Sequence, residues 1–182
     1  ETYRKLQGTY PVIFLSFAAV KAGNLEDAKT QIKQEITRLY WENRNLMKED
    51  IFGEDERELY YRTTVKMDDV TAQDSLRNLS VWMERYYGKK VIILLDEYDT
   101  PMQEAYVQGY WDEFTSFVRS LFNASFKTNP YLERAIMTGI TRVSKESIFS
   151  DLNNLRVVTT TSNLYADCFG FTEEEVFAAL DE

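Results

Sequence analysis

Two adjacent carboxylic acids, Asp96 and Glu97, follow directly after a run of five apolar residues, 91–95. A short, unbroken apolar run of this kind predicts a strand buried in a parallel β-sheet. Ligands of open parallel sheets bind beyond the C-terminal ends of the strands, so both carboxylates are expected at the ligand-binding edge. Because consecutive strand residues point to opposite faces, one carboxylate can hold the water shell of a Mg²⁺ ion while the other polarises an attacking water.

This arrangement is typical of the Walker B strand of nucleotide hydrolases, which predicts a role for each acid. Asp96 is predicted to bind the metal and the cofactor, and Glu97 is predicted to contact the cofactor and act as catalytic base. A plain turn after the strand remains an open alternative for Asp96.

The spacing of the acidic residues excludes two other enzyme classes. Asp96 and Asp99 are three positions apart, where a haloacid-dehalogenase-type phosphatase needs two, and no Glu-x-Lys triplet of a restriction-type nuclease follows.

The composition limits the classes of function. The 182 residues suit one domain, and 44% of them are hydrophobic. A net charge of −9 opposes phosphate backbones, so nucleic-acid binding by this segment is not supported. With no histidine and one cysteine, His-based nucleophilic catalysis is excluded, and a carboxylate site for Mg²⁺ or Ca²⁺ is favoured over zinc. No apolar run approaches the roughly 20 residues of a membrane span, and we expect a cytoplasmic protein without membrane contact.

Hydrophobic periodicity predicts strands that alternate with helices, and therefore an α/β fold with a mostly parallel sheet. The predicted strands are 11–18 (buried on both faces), 91–95, 132–138 and 157–161. The first predicted helix runs from Asn24 to about Leu46, and the second runs from a capping box of Thr71 and Asp74 to Gly88. A third helix is predicted over 111–126, with an aromatic stripe assigned to the core, and a short one over 144–149. The last predicted helix begins at a capping box of Thr172 and Glu175. Residues 48–69 are interpreted as a short helix or loop, and residues 100–110 as a loop.

The partner of a Walker B strand, a phosphate-binding G-x-x-x-x-G-K-[ST] loop, does not occur in the sequence. The closest candidate, Gly88-Lys89-Lys90, lacks the Ser or Thr and precedes a strand instead of following one. The loop is therefore expected upstream of Glu1. Without its backbone N–H groups and lysine, we expect no tightly bound cofactor and negligible ATP hydrolysis by these residues alone.

Four segments resemble a known family. They are YPVIFLSF (10–17), YGKKVIILLDEYDTP (87–101), TGITRVSKESIFS (138–150) and FGFTEEEV (169–176). Together they resemble the bacterial predicted AAA-ATPase-like family over nearly the whole chain. The resemblance implies a P-loop NTPase-like, three-layer α/β fold that is incomplete at its N-terminus. It implies that Asp96 and Glu97 match the Walker B pair, that Thr138 is a catalytic sensor of the γ-phosphate, and that Arg142 approaches phosphate.

The resemblance also implies a domain organisation and partners. Residues 1–168 would form the AAA-ATPase-like core without its Walker A loop, and residues 169–182 would start a helical C-terminal extension. ATP and Mg²⁺ are the partner and cofactors implied for the full-length protein. Family members often end in a domain resembling PD-(D/E)XK nucleases, so this domain could regulate a nuclease. A module that kept the nucleotide fold but binds an unspecified protein is the other alternative.

Three assignments keep a plainer alternative beside the functional one. Arg142 is equally compatible with a solvated loop charge. Asp99, before Thr-Pro, is interpreted as starting a turn in preference to joining the outer shell of the metal. Cys168 is predicted to be a small buried hydrophobic residue.

Overall fold

The structure, a computed structural model, describes residues 2–140, 149, 152, 155–166, 168 and 170–180. Its strands are β1 (Val12–Ser16), β2 (Val91–Asp96) and β3 (Leu132–Met137). Its α-helices are α1 (Leu25–Glu42), α2 (Glu54–Arg62), α3 (Asp69–Tyr87), α4 (Thr100–Gln108), α5 (Trp111–Phe122) and α6 (Glu173–Leu180). Two 3₁₀-helices cover Thr2–Leu6 and Arg44–Lys48, and a π-helix covers Asn123–Lys127.

The three strands form one parallel sheet with β2 in the centre. Ser16 lies opposite Asp96, and Leu95 lies opposite Met137, so the three strands end at the same edge. The chain returns to the start of each next strand through helices, as parallel pairing requires. The predicted fold class, an α/β fold with a parallel sheet flanked by helices, is confirmed.

One face of the sheet packs against the layer formed by α1, α3 and α5. The strand residues that enter this core are Ile13, Leu15, Val91, Ile93 and Leu95. From α5 the core receives Phe114, Phe117 and Phe122, which confirms that this aromatic stripe is structural. Full burial of each large apolar side chain contributes about 1.5–3 kcal/mol, so this core fixes the positions of the strand ends.

The opposite face of the sheet is largely uncovered in the described part of the chain. Val12, Phe14 and Ile136 are 46%, 57% and 53% exposed, and Ile92 and Leu94 are half-buried between them. The register places Phe14 beside Leu94 and Leu94 beside Ile136, so these side chains form a continuous apolar surface. The prediction that the first strand is buried on both faces is therefore wrong for this structure.

The ends of the first long helices follow their capping residues. The Asn24 side chain accepts a hydrogen bond from the Asp27 N–H at 2.9 Å, as predicted. The cap of α3 is Asp68, whose carboxylate accepts from the Thr71 N–H at 2.7 Å, so the predicted capping box of Thr71 and Asp74 is wrong. Gly88 ends α3 in the left-handed conformation (φ 67°), as predicted. Asp was the better cap because its carboxylate is the stronger acceptor.

Two helical segments differ from the prediction. Residues 100–110, predicted to be a loop, contain α4, in which Pro101 occupies the first turn. A proline at this position loses no helical hydrogen bond, so the Thr-Pro pair starts a helix here. The predicted helix over 111–126 divides into α5 and the following π-helix, with Asn129-Pro130 after it.

The C-terminal part of the chain contains one confirmed and two wrong predictions. Thr172 and Glu175 form the predicted capping box, with the Glu175 carboxylate accepting from the Thr172 N–H at 2.8 Å. Residues 157–161 form coil and a turn instead of a strand, and Cys168 is exposed instead of buried. The helix predicted at 144–149 lies outside the described residues except for Phe149. The proposed domain boundary after residue 168 stays a prediction.

Candidate functional site

Each of the three strands delivers one hydroxyl or carboxyl side chain to the same edge of the sheet. Asp96, the last residue of β2, lies between Ser16 at the end of β1 and Thr138 just after β3. The Thr138 hydroxyl donates to Asp96 Oδ1 at 2.6 Å, and the Ser16 hydroxyl donates to Asp96 Oδ2 at 3.3 Å. A carboxylate has about four lone-pair positions, so both oxygens of Asp96 keep acceptor capacity for a metal-bound water.

Main-chain hydrogen bonds continue across this edge and fix the spacing of the three side chains. The Phe17 N–H donates to the Asp96 carbonyl at 2.9 Å, which extends the pairing of β1 with β2. The Thr138 N–H donates to the Leu95 carbonyl at 2.9 Å, and the Thr138 carbonyl accepts from the Tyr98 N–H at 3.1 Å. Thr138 is therefore held by its main chain on both sides, although its side chain is exposed.

Glu97 leaves the strand in a conformation that is rare for its residue type. Its φ is 50°, in the left-handed region that costs a residue with a Cβ about 1–2 kcal/mol. Its carboxylate is half-exposed and accepts from the Thr100 hydroxyl at 2.9 Å. Backbone strain of this kind is concentrated at functional sites, where the surrounding structure holds a side chain in a required direction.

Asp99 lies in the turn that the sequence predicts, but it is unusually buried there. It precedes α4 at the N-cap position, but its side chain makes no capping hydrogen bond, and it is only 1% exposed. Its Oδ2 accepts from the Gln103 side chain at 3.0 Å. The predicted turn is therefore confirmed, but Asp99 is buried in it, whereas a turn residue of this kind is normally solvated.

The donor set at this edge consists of oxygen atoms, which Mg²⁺ prefers. Asp96 is the carboxylate with hydroxyl neighbours on both sides, and Glu97 is the next acid along the chain. Within the described residues, no three or more acidic or cysteine side chains lie close enough together to form a metal site. A single carboxylate matches Mg²⁺ that is bound mainly by water and substrate phosphates. The residues present are thus compatible with Mg²⁺ in a nucleotide complex.

The structure brings together two of the four residues that the sequence singled out as site residues. Asp96 and Thr138 are in direct contact, and Glu97 is adjacent to Asp96 with its carboxylate directed to Thr100. Arg142 lies outside the described residues. Ser16 was missed, because a lone serine in an apolar run carries no motif. Its position as the last residue of the neighbouring strand is the feature that could have found it.

Comparison with known proteins decides the family. The family model "AAA-ATPase_like: Predicted AAA-ATPase" matches residues 1–149. The chain belongs to this predicted AAA-ATPase family. Membership indicates an ATPase-like, nucleotide-binding domain, and ATPases of this kind in general use ATP and Mg²⁺.

One curated relative of this AAA-ATPase-like chain is the "Uncharacterized protein in vnfD 5'region" of Azotobacter chroococcum mcd 1. The two are 33% identical over 92 residues, which is 50% of this chain and 18% of the relative. The match therefore spans less than a fifth of that protein's length. No solved structure matches the chain significantly. Among the described residues, no helix combines the length and apolar character that crossing a membrane requires.

Proposed function

We propose that this chain carries the Walker B part of a Mg²⁺-dependent ATPase site. In this proposal Asp96 binds the metal side of the nucleotide, Glu97 is the catalytic base, and Thr138 is the polar sensor of the terminal phosphate. The observation that carries the proposal is the contact of Asp96 with Thr138 across the C-terminal edge of a parallel sheet. The family match to residues 1–149 supports the same activity.

The described residues would act by positioning and by charge. Bound Mg²⁺-ATP supplies the phosphoryl group and the positive charge that stabilises its transfer. Asp96 is held by the Ser16 and Thr138 hydroxyls, so its carboxylate keeps one orientation toward the bound complex. Glu97 projects from a left-handed turn beyond the strand and can accept a proton from an attacking water. Arg142 stays a prediction, as does a cytoplasmic location.

The proposal includes a phosphate-binding loop outside these 182 residues. Two features of the described sheet support it. Among the described residues, β3 is an edge strand that pairs only with β2. The apolar sheet face around Phe14 and Ile136 is exposed. Parallel sheets normally have both faces covered, so a strand and helix supplied by further polypeptide would complete the fold. These 182 residues alone should then hydrolyse ATP negligibly.

The test uses the longest natural polypeptide that contains this chain, with three variants. Asp96→Asn should weaken Mg²⁺-dependent ATP binding at least about tenfold, because a neutral amide is a poor partner for the hydrated metal. Glu97→Gln should leave ATP binding within about twofold and lower kcat by about 10²–10⁴, the range for loss of a general base. Glu133→Gln, an exposed acid on β3 outside the proposed site, is the matched control and should change neither quantity.

Binding is measured with a fluorescent ATP analogue with and without Mg²⁺, and hydrolysis by phosphate release. Turnover that survives Glu97→Gln, or binding that is unaffected by Asp96→Asn, would overturn these roles. A clear, Glu97-dependent hydrolysis by the 182 residues alone would contradict the need for a further phosphate-binding loop.

The exposed apolar sheet face also favours a second candidate function, that of a protein-interaction module. Contiguous apolar surface on a folded domain commonly marks an interaction site. If that function is the correct one, Asp96→Asn should leave partner binding intact while polar substitution of Phe14 abolishes it. Pull-down with both variants of the longest natural polypeptide, followed by ATP binding, separates the two candidates.

A further inference from the structure

Asp99 is a buried carboxylate close to the proposed site, and the roles assigned above do not use it. It is 1% exposed, whereas Asp96 and Glu97 are only half-buried. Burial of a charged group is unfavourable unless polar partners compensate for the lost water. One partner is Gln103, one turn further along α4, whose side chain donates to Asp99 Oδ2 at 3.0 Å. The second oxygen, Oδ1, faces the chain segment that follows β3.

The main chain at Gly139 occupies the space immediately beside this second oxygen. A Cβ atom added to Gly139 would collide with Asp99 Oδ1 and would lie 2.8 Å from Asp99 Cγ and 2.9 Å from Tyr98 Cε1. Gly139 does not have the positive φ that favours glycine. Its lack of a side chain is therefore explained by space, because the Asp99 carboxylate takes the position that a side chain would need.

Gly139 directly follows Thr138, the residue whose hydroxyl donates to Asp96. The end of β2 and the segment that follows it thus contact Thr138 and Gly139 in three ways. The Leu95 carbonyl and the Tyr98 N–H hold the main chain of Thr138, and the Asp99 carboxylate packs against Gly139. An exposed threonine hydroxyl would otherwise exchange its partner with water. Packing on the next residue limits the movement of the peptide that carries it.

We propose that Asp99 is a positioning residue, which packs against Gly139 and thereby keeps the Thr138 hydroxyl on Asp96. In this role Asp99 does not contact the nucleotide or the metal. The functional part of the inference rests on the proposed ATPase activity, whereas its structural part does not. Two acids of one short segment then have different tasks: Asp96 accepts the hydroxyl, and Asp99 supports the chain behind it.

The structural part is tested without nucleotide. NMR of ¹³C-labelled threonine methyl groups reports the surroundings of Thr138 in the longest natural polypeptide that contains this chain. Asp99→Ala, which removes the packing against Gly139, and Gly139→Ala should both shift the Thr138 methyl resonance. Gly23→Ala is the matched control, since Gly23 is exposed, has no positive φ and has open space where a Cβ would lie. It should leave the resonance unchanged.

A double-mutant cycle tests the contact itself. Gly139→Ala should lower the folding equilibrium constant by some factor in the wild type. In an Asp99→Ala background that factor should be at least about fivefold smaller, because the collision with the carboxylate is gone. A residual effect is expected from Tyr98. Independent effects of the two substitutions, or a Thr138 resonance that neither Asp99→Ala nor Gly139→Ala shifts, would overturn the proposal whether or not the protein hydrolyses ATP.

The functional part is tested by ATP hydrolysis. Asp99→Ala and Thr138→Val should each lower kcat about tenfold with KM within about twofold, and the double variant should lose no more than either single variant. Residues that act through one another give such non-additive losses. Multiplying losses would show that Asp99 acts independently of Thr138 and would overturn its positioning role. Absence of wild-type hydrolysis, with the NMR shifts present, would instead refute the proposed function and leave the structural part standing.

Discussion

At the scale of single residues, the sequence predicts the positions of Asp96 and Thr138 better than it predicts the contacts that support them. The apolar run before Asp96 places this acid at the sheet edge, and the following strand places Thr138 next to it. Both positions depend on local patterns. Ser16 and the burial of Asp99 were missed because they depend on strand register and on packing between segments distant in sequence. Neither leaves a periodic pattern in the sequence.

The two hydroxyl groups on Asp96 should contribute unequally. The bond from Thr138 is short at 2.6 Å, whereas the bond from Ser16 is long at 3.3 Å. Hydrogen bonds to charged groups weaken with distance, and a good one contributes about 1.5–3 kcal/mol. Thr138→Val should therefore lower ATP hydrolysis about tenfold or more, and Ser16→Ala should lower it less than threefold. Equal losses in a phosphate-release assay would contradict this order.

At the scale of elements, the amphipathic helices and the three strands of the sheet were predicted, whereas the starts of α3 and α4 and the absence of a C-terminal strand were not. Helix α1 begins where Asn24 predicts it because the cap is local to the sequence. Helix α4 was missed because Asp99-Thr-Pro is compatible with a turn and with a helix start. Residues 157–161 are β-branched, but a strand needs a paired neighbour, and none forms there among the described residues.

The ion pair between Glu56 of α2 and Arg85 of α3 should make stability depend on pH. The hydrogen bond from Arg85, at 2.7 Å, lowers the pKa of Glu56 below its usual value of 4.5. A lowered pKa in the folded state stabilises the protein above pH 4.5, and this contribution is lost as the pH falls through the lowered pKa. Because both side chains are partly exposed, we expect only about 0.5 kcal/mol.

Urea unfolding of Glu56→Gln and wild type should therefore differ by about 0.5 kcal/mol at pH 7 and converge at acid pH. Glu58→Gln on the same helix is the control, since its pair with Arg62 is long (3.8 Å) and exposed. At neutral pH, Glu58→Gln should change the free energy of unfolding by less than Glu56→Gln does. A difference for Glu56→Gln that persists below the lowered pKa would show that the ion pair is not its source.

At the scale of the whole molecule, the described chain is a sheet with one covered face and one open apolar face. The parallel arrangement was predictable, because strands alternate with helices along the sequence. The open face was not, since Val12 and Phe14 have the composition of a strand that is buried on both sides. Composition shows which surfaces can be buried, but only the structure shows which surfaces are covered by the residues present.

Phe14 tests whether further polypeptide covers this face. In the 182 residues alone its side chain is 57% exposed, so Phe14→Thr should change the free energy of unfolding by less than about 0.5 kcal/mol. In the longest natural polypeptide the same substitution should cost about 1.5–3 kcal/mol, the value for burying a large apolar side chain. Ile13→Ala is the control, because Ile13 is fully buried and should cost about 2–5 kcal/mol in both chains. Equal effects of Phe14→Thr in the two chains would show that the face stays open.

Nucleotide-dependent thermal stability then shows which part of the polypeptide binds ATP. A ligand present at about 100 times its Kd stabilises the folded state by about 2.7 kcal/mol, which corresponds to a rise in Tm of roughly 5–10 °C for a domain of this size. The longest natural polypeptide should show this rise with Mg²⁺ and a non-hydrolysable ATP analogue, and its Asp96→Asn variant should not. The 182 residues alone should show no rise, because backbone N–H groups and a lysine of a phosphate-binding loop supply most of the affinity. If the 182 residues were stabilised as strongly as the longer chain, the sheet edge at Asp96 would be sufficient to bind the nucleotide, and the division of the site between two segments would be wrong.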